Sequence, residues 1–116
     1  KADTGDTRES PAIAIVRGLV GEGAMVTVSD PKAINNAKLE IPDILSKVEF
    51  EVDPYEAAEN AHAIVILTEW KQYRELDFKR IFNSMEKPAY IFDGRNILDS
   101  KALSAIGFRS FSIGRV

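Results

Sequence analysis

Ala63-Ile64-Val65-Ile66-Leu67 is five apolar residues without a break. A strand with one wet face alternates apolar and polar positions; this run has no polar position to turn outward. It predicts a strand buried on both faces of a parallel sheet. Ala89 to Phe92 reads as a second strand of that kind, and Val48 to Val52 (Val, Glu, Phe, Glu, Val) alternates as a half-buried strand does. Met25 to Ser29 and Arg109 to Ile113 complete the predicted set.

Helical stretches lie between these strands. Pro11 to about Glu22 places Ile13, Val16 and Val20 at helical spacing, with Ser10 as a candidate cap and Gly21 and Gly23 as the stop. Asp53-Pro54 opens a short helix to about Asn60, with Asp53 as its cap, and Asp77 to Met85 reads as helix. Ser100 to Ile106 is a further helix, stopped by Gly107. Lys32 to Lys47 is harder to read, because Asn35-Asn36 and Pro42 interrupt any long helix. Strands alternating with helices predict an α/β fold, a doubly wound, mostly parallel sheet with helices on both faces. Without repeats, linkers or low-complexity segments, residues 1–116 read as one domain.

Composition narrows the function. A net charge of -3 argues against a nucleic-acid surface, which needs a basic face, yet leaves room for local positive charge around a small diphosphate. The 116 residues contain no cysteine, so they carry no disulfide, thiolate metal site or cysteine nucleophile. His62, the single histidine, has no second histidine or cysteine to share a metal with, and reads as structural. No apolar run approaches the roughly 20 residues of a membrane span, so no membrane partner is expected and a cytoplasmic location is the default.

In an open α/β sheet, ligands bind outside the carboxyl ends of the strands. Three polar clusters are expected at such ends: the loop Lys1 to Arg8, Thr68-Glu69-Trp70, and Asp93-Gly94-Arg95-Asn96. The first, with Glu9, gathers two cations and three carboxylates ahead of a helix N-terminus. There, a phosphate meets side-chain charge and aligned N–H groups together; a merely polar, well-capped loop fits the same residues. Arg95 follows a strand and a glycine, so its guanidinium can cross the strand ends and fork onto a phosphate or carboxylate. The plainer alternative is a salt bridge to Asp93, Asp99 or Glu69. Trp70 either stacks on a base or packs over a loop. Gly18, Gly21 and Gly23 are misplaced for a dinucleotide fingerprint, since they lie within and after a helix; close packing and a helix stop account for them.

Lys1, Asp3, Asp6 and Arg8-Glu9-Ser10-Pro11, then Thr68-Glu69-Trp70, then Phe92-Asp93-Gly94-Arg95-Asn96, stand in the order found in the UDP-glucose/GDP-mannose dehydrogenase family. The chain resembles the C-terminal UDP-binding domain of that family over nearly its whole length, most closely the UDP-glucose 6-dehydrogenase type. The resemblance implies a Rossmann-like fold and a part in oxidising UDP-glucose to UDP-glucuronate with NAD. It implies that Lys1 and Arg95 bind the UDP-sugar and that Arg8 reaches NAD, which is held mainly by an N-terminal domain. It also implies a homo-oligomer. The family oxidises its substrate through a cysteine, so this chain, without one, is expected to be inactive in isolation and to serve by holding UDP and closing the cleft. In the family a strand precedes the segment that begins here at Lys1. The chain is therefore expected to be a fragment of a larger dehydrogenase that lacks its first strand, leaving unpaired edges prone to self-association. Relatives acting on GDP-mannose or UDP-N-acetylmannosamine are the neighbouring alternative. A flavodoxin-like regulatory or interaction module is the alternative from another class; it needs clustered acids at one strand end, whereas arginines lead at two of the three.

Overall fold

Helices and strands alternate along the chain in the computed structural model, which describes residues 11–30, 35, 38, 39 and 41–112. The element order is α1 (Pro11–Gly21), β1 (Val26–Val28), β2 (Val48–Phe50), α2 (Pro54–Ala58), β3 (Ala63–Ile66), α3 (Phe78–Ser84), β4 (Tyr90–Asp93), α4 (Ser100–Ile106) and β5 (Arg109–Ser112). Short 3₁₀ turns, Leu45–Lys47 and Lys71–Glu75, precede β2 and α3. Every strand pair is parallel. The described strands form two sheets rather than the single one expected: β1-β2, and β3-β4-β5. The fold divides after Ala57 into two compact units, each with its own sheet.

In the first unit, Val26, Thr27 and Val28 pair with Val48, Glu49 and Phe50. Thr27 and Glu49 are exposed. Val16 of α1, Ile41 and Val48 form the buried cluster, flanked by Ile13, Val20 and Phe50. The spacing of Ile13, Val16 and Val20 puts them on one face of α1, and that face meets the sheet. The helix ends in paired bonds from Gly23 N to Val20 O (3.0 Å) and from Ala24 N to Leu19 O (3.0 Å). This C-terminal motif needs a residue at positive φ, and Gly23 has φ +90°. The close packing expected of Gly18 is not found, because a Cβ there meets no described atom within 4 Å, whereas Gly21, one of the two glycines expected as the stop, is the last residue of α1. Arg17 of α1 donates to Asp43 at 2.6 Å. That hydrogen bond, helped by one from the backbone and by the guanidinium charge, holds the Asp43 carboxyl below its ordinary pKa.

The second unit is built on β3-β4-β5. Ile64 pairs with Ile91 and Ile66 with Asp93; Phe92 pairs with Phe111. Sequential parallel strands joined by right-handed crossovers carry both helices to the same face of the sheet. Burial follows that geometry, with Ile66, Ile91 and Asp93 buried on one face. The other face carries Tyr90, Phe92 and Phe111, whose rings stack within 5.4–6.5 Å of one another. The expectation that the apolar run of β3 is buried on both faces is therefore not met: Val65 is 37% exposed, on the aromatic side. Side-chain caps start α3 and α4. Asp77 accepts from Arg80 N, and Asp99 from Lys101 N and Ala102 N. Gly107, at φ +129°, ends α4 where a Cβ would stand 2.7 Å from the Phe82 ring, and Phe82 meets Phe108 edge-on.

Candidate functional site

Strands β3 and β4 are parallel neighbours in register, so the segments leaving their carboxyl ends start side by side. This brings together the second and third polar clusters. Gly94 N donates to Ile66 O at 2.9 Å, tying the turn after β4 to the last residue of β3. Only glycine allows that approach, since a Cβ at position 94 would lie 2.8 Å from the same carbonyl oxygen. From this turn, the Arg95 guanidinium reaches Glu69, with Nη2 3.1 Å from Oε2. Both side chains remain about half exposed (45% and 52%), so the guanidinium keeps donors open to solvent.

The plainer alternative for Arg95, a salt bridge, is present in the structure, and of its three candidate carboxylates the partner is Glu69. Asp99 serves α4 as its N-cap. Asp93 is buried, 1% exposed, and spends its oxygens on the main chain: Oδ1 accepts from Arg95 N (3.1 Å) and Oδ2 from Leu98 N (2.8 Å). The sequence alone presents Asp93 as a member of the strand-end cluster and a candidate counter-ion for Arg95, not as a buried acceptor of main-chain N–H groups. The missed signal is its spacing: two residues after Ile91 in a strand, it must face the same way as that buried side chain. Asn96 completes the turn at φ +59°, a conformation asparagine tolerates.

Trp70 has 7% exposure, which suits the packing alternative over stacking on a ligand base; its carbonyl accepts Tyr73 N as the 3₁₀ turn begins. His62 is exposed, as a structural histidine at a strand's edge can be. Lys1 and Arg8, with Asp3, Asp6, Glu9 and the cap Ser10, lie outside the described residues.

A parallel α/β unit with polar loops gathered at its carboxyl strand ends, and an arginine presented there, defines the class of open-sheet ligand-binding domains. Residues 1–100 match the profile described as "UDP-glucose/GDP-mannose dehydrogenase family, UDP binding domain". The chain is 49% identical over 121 residues to the UDP-glucose 6-dehydrogenase of Caenorhabditis elegans, covering 98% of this chain and 25% of that protein. It is 41% identical over 133 residues to UDP-glucose 6-dehydrogenase 1 of Oryza sativa subsp. japonica, and 40% identical over 133 residues to UDP-glucose 6-dehydrogenase 4 of Arabidopsis thaliana. Each of these two alignments covers 99% of this chain and 28% of the relative. The chain belongs to the UDP-glucose/GDP-mannose dehydrogenase family. It spans about a quarter of the length of the curated relatives it matches. The regulatory-module alternative is not favoured by these matches.

Proposed function

We propose that this chain binds the UDP portion of UDP-glucose as part of an NAD-dependent UDP-glucose 6-dehydrogenase, with Arg95 anchoring the nucleotide-sugar. The observation that carries the reading is the half-exposed Arg95 guanidinium, held beside Glu69 at the carboxyl ends of two adjacent parallel strands. A guanidinium offers parallel donors to a phosphate or to a sugar hydroxyl pair, and binding a remote part of the substrate positions the reacting carbon. The oxidation itself does not run on these residues, which include no cysteine. From the family to which the chain belongs we further infer a homo-oligomeric enzyme that takes NAD as oxidant, with Lys1 as a second contact to the UDP-sugar and Arg8 reaching NAD, and we propose a cytoplasmic location for it. Relatives named for UDP-glucose support that sugar over GDP-mannose or UDP-N-acetylmannosamine.

The test is titration of the chain with UDP, with AMP as control, followed by protein NMR and repeated on Arg95→Ala. Saturable shifts with UDP alone, at least tenfold weaker in the variant, are expected from loss of a bidentate charged contact. Equal responses to UDP and AMP would remove the UDP reading, and an unchanged affinity in Arg95→Ala would remove Arg95 as the anchor.

A further inference from the structure

We propose that Asp93 is the positioning residue of this site: its buried carboxylate fixes the turn from which Arg95 meets its ligand. The inference rests on the reading of Arg95 as an anion anchor and adds what holds that anchor ready.

An arginine on an ordinary turn is a poor anchor, because the main chain beneath it moves and the long side chain multiplies that motion. Here the main chain is fixed at three points. Asp93 accepts the N–H of Arg95 itself and, through its other oxygen, the N–H of Leu98, so one side chain spans the turn from end to end. Gly94 N is bonded to Ile66 O, fastening the same turn to β3. Leu98 is buried, which keeps the far end of the turn in the core. The side chain is then met at its tip by Glu69.

A carboxylate suits this place for a reason of valence. An ionised carboxylate is acceptor-only on both oxygens, and two N–H donors converge on it. Asparagine has the same shape but one acceptor oxygen, so one of the two N–H groups would face an NH2 donor. The buried carboxylate adds no contact of its own to a ligand outside the strand ends. Any effect it has on binding must therefore pass through the turn it holds, from which Arg95 is presented.

The test is a double-mutant cycle on the full chain with UDP as probe: native, Asp93→Asn, Arg95→Ala and the double variant, each checked for native-like spectra. Asp93→Asn is expected to weaken UDP binding about tenfold, in the range that a small misplacement of a positioning group costs. In the Arg95→Ala background it should change affinity less than about twofold. An unchanged affinity in folded Asp93→Asn, or an equal loss in both backgrounds, overturns the proposal. A ligand-free measurement separates its failure from that of the functional reading. In the native chain without UDP, the relaxation of Arg95 Nε–Hε should report an ordered guanidinium, distinct from exposed Arg74, and slow exchange at the Arg95 and Leu98 amides. If those signals hold but no UDP binds, the functional reading fails and the positioning stands. An Arg95 as mobile as Arg74 in the native chain overturns the positioning, even if Asp93→Asn does not fold.

Discussion

Asp53 and Asp93 both stand at the carboxyl end of a parallel strand, Asp53 beyond it and Asp93 within it, and both accept an N–H from the residue two positions on. Tyr55 N donates to Asp53 Oδ1 at 2.9 Å, and Arg95 N donates to Asp93 Oδ1 at 3.1 Å. The local device is the same turn closed by a carboxylate. Its outcome differs with the strand that delivers it. Asp53 comes after β2, whose middle residue Glu49 is exposed, and it stands in solvent as the cap of the short helix α2. Asp93 is itself the last residue of β4, on the face that Ile91 buries, so it is carried into the interior and has a second oxygen to spend on Leu98. One turn starts a helix; the other aims an arginine. Burial of the carboxylate, rather than the turn motif, makes the difference.

The same contrast runs through the two units. Among the described residues, the first buries Val16, Ile41 and Val48 beside three-residue strands. The second buries Ile66, Ile81, Ile91, Leu103 and Phe108 around four-residue strands. Truncation should expose that asymmetry most strongly. Ile91→Ala, at a position with no exposure, should cost about 3–4 kcal/mol through lost burial and the cavity left behind. Val16→Ala, at 9% exposure and with two fewer carbons, should cost about 1–2 kcal/mol. Denaturant unfolding measures both, and equal losses would break the ranking.

A smaller effect is expected at the helix starts. Asp99 accepts two amide bonds at α4, whereas Asp53 accepts one at α2. Asp99→Ala should lower stability by about 1 kcal/mol, and Asp53→Ala by less. Thermal melts of the two variants side by side would sharpen the comparison; a costlier Asp53→Ala would reverse it.

The smallest effect belongs to the exposed Arg17–Asp43 pair of the first unit. The Asp43 pKa is lowered on folding, chiefly by the hydrogen bond from Arg17. Its contribution is therefore fully present above the ordinary carboxylate value and is lost as pH falls through the lowered one. Asp43→Asn should unfold slightly more easily than the native chain near neutrality, and the gap should close in acid. A gap that persists unchanged at strongly acid pH would show that the titrating carboxylate is not its source. Exposed pairs of this sort contribute little, so a barely measurable difference is expected.

Much of the fold was legible because its signals are local. Gly107 stops α4 and Asp53 caps α2 as expected from their chemistry, while the caps at Asp77 and Asp99, equally local, are added by the structure. The placing of Glu69 and Arg95 after adjacent carboxyl strand ends was legible from order alone, because a parallel sheet points all its carboxyl ends one way. The faces of the second sheet were not legible. An unbroken apolar run looks alike whether both faces are covered or one carries the stacked rings of Tyr90, Phe92 and Phe111, since periodicity records where residues point and not what arrives to cover them.

By itself, then, the sequence determined the alternation of strand and helix, the caps and stops of the helices, and the clustering of polar residues after apolar strands. Each depends on residues a few positions apart. Only the tertiary structure decided that the described strands form a two-stranded and a three-stranded ladder, that Arg95 pairs with Glu69 rather than Asp93 or Asp99, and which face of β4, the one shared by Ile91 and Asp93, is buried. Those outcomes join residues brought together by pairing across the sheet, where three carboxylates of equal charge compete for one guanidinium. Geometry and burial, to which a linear pattern is blind, choose among them.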